Sequence, residues 1–105
     1  MTYKPFDLSG KVVVVTGGNK GIGLGMVEAL AASNADVVIW GRKTADNDAA
    51  VKSASKLGTG KVKAWAVDVA DEAQVVKAMK EAEEEFKRID ACIANAGVGR
   101  GAARS

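Results

Sequence analysis

Histidine is absent from the 105 residues, cysteine and proline occur once each, and aromatic residues make up only 5%. Without histidine, neither a Ser-His-Asp or Cys-His relay nor a histidine-containing metal cluster can be built from this chain. The lone cysteine, Cys92, excludes an internal disulfide framework and suits a reducing compartment, so the cytosol is the expected location. No apolar run approaches the roughly 18 residues of a membrane span, and Met1 to Gly10 lacks the apolar stretch of a signal peptide. Charge of one sign is missing too. Fifteen Lys and Arg against 13 Asp and Glu leave a net +2, too little for the basic field of a general nucleic-acid binder. What is present, 48% apolar and 27% charged residues, is expected to form one small domain over 1–105, with 1–9 as a leader and 98–105 as an irregular tail.

Hydrophobic patterning alternates between two periods. Lys11 to Thr16 is a β-branched run, as in a parallel strand covered on both faces. A glycine cluster follows, and Ile22, Met26 and Leu30 then recur at helical spacing beside Ala29. Val37 to Trp40 forms a second strand that ends in Gly41-Arg42-Lys43. A helix is expected over Ala45 to Leu57, capped by Thr44, acidic in its first turn at Asp46 and Asp48, and closed by Gly58 as a C′ glycine. Lys61 to Val67 alternates as a third strand with a partly exposed face, which suits a sheet edge. Asp71 and Gln74 resemble a capping box, and Val75, Met79, Ala82 and Phe86 mark the core face of the helix they open. Its outer face carries Glu83 before Lys87 and Glu84 before Arg88 at i, i+4, a solvated charge pattern. Ile89 to Ala94 is a fourth strand, closed by Asn95-Ala96-Gly97. This βαβαβαβ order implies an α/β, Rossmann-type doubly wound parallel sheet with strand order 3-2-1-4. The fourth strand is apolar, yet no later segment of this sequence can pair with its free edge, so a cover is expected there.

The glycine cluster carries the chemistry. A strand that ends in glycines and turns into a helix aims free N–H groups and the positive end of the helix dipole at whatever lies above it, which makes a phosphate seat. Gly17 allows the tight turn, Gly21 lets a pyrophosphate approach the backbone, and Gly23 lets helix and strand pack closely. The loop is not a Walker A element, because Lys20 is followed by Gly21 rather than Ser or Thr.

Thr16-Gly17-Gly18-Asn19-Lys20-Gly21-Ile22-Gly23 matches T-G-x-x-x-G-x-G and resembles the short-chain dehydrogenase/reductase family. Asp68-Val69 after the third strand, and Asn95-Ala96-Gly97 after the fourth with Ala94 in place of the family's first Asn, are two further marks in the same order. The resemblance runs from about Leu8 to Gly97 and covers the amino-terminal, cofactor-binding half of a typical member, so the fold is expected to be truncated relative to the family. It implies that Asp68 bonds the adenine amino group, that Val69 lies against the adenine, and that Asn95, Ala96 and Gly97 line the ribose side while Asn95 steadies the central sheet. Asp68 has a second reading, a strand-ending carboxylate that caps the next turn.

Cofactor choice is read at the end of the second strand, where an NAD site carries an acid for the ribose 2′-OH. Gly41 stands there instead. Arg42 offers a guanidinium for a 2′-phosphate, Lys20 adds a second positive charge from the glycine loop, and Lys43 can help. The expected cofactor is NADP(H). Asn19 and Ile22 complete the loop side of the expected site. Read singly, Arg42 and Lys43 are ordinary loop charges.

The resemblance implies reversible hydride transfer between the nicotinamide and a small-molecule carbonyl or alcohol, with a Tyr, an adjacent Lys, a Ser and an Asn in the chemical step. Those residues are expected beyond this sequence, since the only tyrosine, Tyr3, is followed four residues later by Asp7 and not by Lys. No catalytic and no metal-binding residue is expected in this chain. Cys92, inside an apolar strand, reads as a packed, inert thiol, and Trp40 and Trp65 read as packing residues, with Trp40 close to Gly41. The resemblance also implies a homo-oligomer, tetramer or dimer. Oxoacyl thioesters, sugars or polyols and small ketones all remain open as substrates. Two alternatives stand beside the enzyme: a catalytically silent NADP-binding module or truncated product, and an S-adenosylmethionine-binding methyltransferase domain, for which Gly41 with Arg42 is the wrong electrostatics.

Overall fold

The computed structural model describes residues 7–95. Four strands and three helices alternate along the chain: β1 (Val12–Thr16), α1 (Gly21–Ala32), β2 (Asp36–Gly41), α2 (Thr44–Ala54), β3 (Val62–Ala66), α3 (Glu72–Phe86) and β4 (Ala91–Ala94). The strands form one parallel sheet in the order β3-β2-β1-β4, as the alternation of periods predicts. β1 is buried along its whole length because both faces of the sheet are covered, which is why its sequence is an unbroken β-branched run. Val13, Val15, Val37 and Ile39 point to the face covered by Val27 and Ala31 of α1 and Ala50 and Ala54 of α2. Val12, Val14, Val38 and Trp40 point to the opposite face, under Ala78 and Ala82 of α3. Each fully buried Val or Ile contributes about 1.5–3 kcal/mol, so these strands are the main source of stability.

Three local expectations are corrected. The buried row of α1 is Gly23, Val27 and Ala31, not Ile22, Met26 and Leu30. Ile22 is 66% exposed, because the small side chains face the sheet and bring the helix axis close to it. Thr44 is the first helical residue of α2 rather than its cap; Lys43 occupies the cap position without a side-chain bond, and the helix stops at Ala54 instead of Leu57. Gly58 is not a left-handed terminator. A Cβ there would lie 1.9 Å from the Ala31 carbonyl oxygen, so the position is set by close approach to the end of α1.

The start of α3 behaves as read, whereas its charged end does not: Lys87 is the left-handed cap and Arg88 pairs with Asp90, so neither Glu83–Lys87 nor Glu84–Arg88 forms an ion pair among the described residues. Asp71 accepts from the Ala73 and Gln74 amides at the start of α3, while Gln74 Nε2 donates back to Asp71. β3 is an edge strand, and Lys63 on its α3-facing side pairs with Glu85 of that helix at 2.9 Å. β4 hydrogen-bonds only to β1 among the described residues. Asp90 staples its base: the Asp90 amide donates to the Val12 carbonyl at 2.8 Å, and the Val12 amide donates to the Asp90 carboxylate at 2.7 Å. Cys92 is exposed on this strand, contrary to the packed thiol expected, because nothing described covers β4 on that side. The partial burial it does have pushes its thiol above the usual range.

Candidate functional site

The carboxyl ends of β1, β2 and β3 open onto one rim, and the loops that leave them build the site. After Thr16 the chain turns through Gly17 with φ +68°, and the Gly17 amide donates to the Trp40 carbonyl at 2.8 Å. Lys20 is extended at the start of α1, where no side chain caps the helix and no acid occupies the first turn. α3, by contrast, is closed by Asp71. An uncapped amino terminus leaves amide hydrogens and a partial positive charge directed outward, the requirement for holding an anion. Gly21 has φ +56°, and a Cβ placed on it would meet nothing within 4 Å, so this backbone is open to a ligand's approach. Gly23 is the opposite case: its Cβ would lie 2.1 Å from the Gly17 carbonyl oxygen and 2.5 Å from Asn95 Nδ2. Gly17 thus makes the turn and Gly23 the close contact, while Gly21 leaves its backbone open.

At the end of β2, Gly41 is buried while Arg42 and Lys43 are exposed. Among the described residues Arg42 makes no ion pair, whereas Lys20 Nζ lies 3.3 Å from Asp46 on α2. Sequence reasoning placed Asp46 at the helix dipole and missed this pairing. It also missed Asn47, a polar residue only 2% exposed. Asn47 Nδ2 donates to the Gly41 carbonyl at 3.0 Å and to the Trp65 carbonyl at 3.3 Å, and its Oδ1 accepts from Asn19 Nδ2 at 2.8 Å. One side chain therefore ties the glycine loop to the ends of β2 and β3. The only signal in the sequence is an Asn one residue after an acid in an Ala-rich helix, which periodicity alone does not single out.

Beyond β3, Asp68 Oδ1 accepts from the Ala70 amide at 3.0 Å, the turn-capping role, and the Asp68 amide donates to Gln74 Oε1 at 2.9 Å. Its other carboxylate oxygen has no partner among the described residues. Val69 is 41% exposed. Beyond β4, the Asn95 amide donates to Thr16 Oγ1 at 2.9 Å and its Nδ2 to the Gly17 carbonyl at 3.4 Å, joining the end of β4 to the glycine turn. Ala96 and Gly97 lie outside the described residues, as does Tyr3. Trp40 is 2% exposed and packs beneath α3 with Trp65 beside it. Its indole N–H has no acceptor among the described residues, and both tryptophans are packing residues.

Residues 11–105 match the family model described as short chain dehydrogenase. The chain belongs to the short-chain dehydrogenase family. The chain is 42% identical over 93 residues to sorbose reductase of Candida albicans, covering 89% of this chain and 33% of that protein. It is 38% identical over 93 residues to a probable NADP-dependent mannitol dehydrogenase of Yarrowia lipolytica, again 89% of this chain and 33% of the relative. A crystal structure of a short chain dehydrogenase from Bacillus anthracis superposes with a TM-score of 0.80 at 34% identity, over 85% of this chain and 35% of that one. The chain thus spans about a third of the length of these relatives. Family members act on small-molecule substrates with a nicotinamide cofactor, and the residues present fit one. Gly21 leaves open backbone beside the uncapped start of α1, which can accept an anionic group such as a pyrophosphate. No helix among the described residues is long and apolar enough to cross a membrane.

Proposed function

We propose that this chain supplies the cofactor-binding half of an NADP(H)-dependent oxidoreductase that interconverts a small-molecule carbonyl and its alcohol. The observation that carries the reading is the end of β2: no carboxylate at Gly41, and beside it an exposed Arg42 with no ion pair among the described residues. When bound, the cofactor supplies the hydride. The chain's own residues bind and orient it. Amides at Gly21 to Gly23 hold the pyrophosphate, with Asn19 and Ile22 flanking the loop. Arg42 takes the 2′-phosphate, with Lys20 and Lys43 adding positive charge. The carboxylate oxygen left over at Asp68 accepts from the adenine amino group, Val69 covers the ring, and Asn95 lines the ribose; Ala96 and Gly97, outside the described residues, are assigned to the same side by family resemblance alone. The relative from Yarrowia lipolytica, described as a probable NADP-dependent mannitol dehydrogenase, and the sorbose reductase are consistent with this cofactor and with polyol or ketose substrates. A cytosolic homo-oligomer is part of the same proposal.

Isothermal titration of the full-length protein with NADPH and NADH tests it. Removing a charge-assisted bond costs about 1.5–3 kcal/mol, so Arg42→Ala should weaken NADPH roughly tenfold or more and leave NADH nearly unchanged. Equal losses for both cofactors would remove the 2′-phosphate role.

A further inference from the structure

Asn47 is only 2% exposed beneath the site and was not among the residues expected to bind cofactor, yet it fixes what position 41 can hold. Its Nδ2 donates to two backbone carbonyls, those of Gly41 and Trp65. Carbonyls can only accept, so the carboxamide cannot turn over without facing oxygen to oxygen twice. Oδ1 is consequently held over Gly41 and toward Asn19. A Cβ on residue 41 would lie 2.4 Å from that fixed oxygen and 2.2 Å from Asn19 Nδ2. The Asn19 side chain can move aside; the Asn47 oxygen can do so only by giving up bonds to β2 and β3. A carboxylate at 41 would also meet Oδ1 as one acceptor facing another.

We propose that Asn47 is a specificity-determining positioning residue, which with Asn19 closes the volume above Gly41 where an acid for the ribose 2′-OH would stand. On this view Gly41 is not merely an absent acid. The site is shut against one, and cofactor choice is written at position 47 as much as at 41. The proposal rests on the dinucleotide reading above and adds a cause to it.

The test is a set of Gly41→Asp variants of the full-length protein, made alone, with Asn47→Ala and with Asn19→Ala, each titrated with NADPH and NADH. Alone, Gly41→Asp should weaken NADPH without gaining NADH. With Asn47→Ala, the NADH-to-NADPH preference should rise by about tenfold more than the two single changes predict together, the size of coupling expected between touching groups. Asn19→Ala removes the movable half of the obstruction and should give part of that gain, so the measurement survives if the Asn47 variant folds poorly. A readout free of ligand is the melting temperature: Gly41→Ala should lower it, and Asn19→Ala should recover part of the loss. A Gly41→Asp protein that switches to NADH unaided, with additive effects throughout, overturns the proposal while leaving NADP(H) binding intact. A wild-type protein that binds neither dinucleotide overturns both.

Discussion

Two glycines of α1, two residues apart, should respond to alanine in opposite directions. Alanine is favoured over glycine in a helix by about 0.8–1 kcal/mol, and at Gly25 nothing lies within 4 Å of the added carbon. Gly25→Ala should therefore stabilise the protein by about 0.4–1 kcal/mol. At Gly23 the same intrinsic gain meets the Gly17 carbonyl oxygen at 2.1 Å and its carbon at 2.9 Å. Both are backbone atoms and cannot rotate away. Relief requires α1 to move off β1 by roughly 1 Å or more to reach van der Waals separation, which disturbs the contacts of Val27 and Ala31. Overpacking of this kind costs about 1–3 kcal/mol. After the helix gain is subtracted, Gly23→Ala should still be destabilising by up to about 2 kcal/mol. Urea denaturation of both full-length variants, followed by tryptophan fluorescence and circular dichroism, measures the difference. NADPH titration of Gly23→Ala should also show a loss, because the displaced helix start carries the amides assigned to the pyrophosphate. A Gly23→Ala protein as stable as Gly25→Ala would refute the close packing of α1 on the glycine turn.

Asp46→Asn removes the acid that engages Lys20 at 3.3 Å; an exposed pair of this sort is worth about 0.2–1 kcal/mol, so NADPH should bind up to roughly fivefold more tightly by calorimetry while NADH is unaffected. Asp71→Ala deletes the cap of α3, whose carboxylate accepts from two amides, and should lower unfolding free energy by about 1 kcal/mol in a denaturant titration. The Asp90 carboxyl is held below its ordinary range first by hydrogen bonds from Arg88, then by the Val12 amide. Since the folded value is the lower one, its contribution is fully present above the unfolded value near 3.9 and is lost as pH falls below that toward the folded value. Stability measured from pH 5 to pH 2 should decline less steeply for Asp90→Asn than for the wild type, and parallel curves would dismiss the linkage.

Elements defined by a repeating pattern were legible and contacts between unlike loops were not. β1 could be read because burial on both faces forces an unbroken β-branched run, and the start of α3 could be read because Asp71 and Gln74 act within three residues of each other. α1 misled: its larger apolar residues suggested a buried row that the structure leaves partly in solvent, since proximity to the sheet selects Gly23 and Ala31 rather than bulk. Gly58 misled in the same sense. Its place directly after the expected helix end at Leu57 suggested a left-handed stop, whereas the constraint comes from Ala31, which is remote in sequence. Hydropathy records how much area a residue buries, and a glycine required by a neighbour's backbone buries almost none.

The same distinction bears on the cofactor. Gly41 was legible as a missing acid, and a missing charge is a statement about electrostatics alone. In the folded chain the position is also occupied, by two carboxamides from residues 28 apart in sequence. Restoring the acid would then restore the charge without restoring the space, so electrostatics and sterics make different predictions for one substitution. The cations divide in a similar way. Lys20 and Arg42 look equivalent as positive residues flanking the crevice, but Lys20 is already engaged by Asp46 while Arg42 is not paired among the described residues. A 2′-phosphate must displace Asp46 to reach Lys20, whereas it meets Arg42 directly. The guanidinium should therefore carry most of the discrimination, and Lys20→Ala should cost NADPH less than Arg42→Ala; the reverse order in calorimetry would mean that the Lys20–Asp46 pair opens on binding.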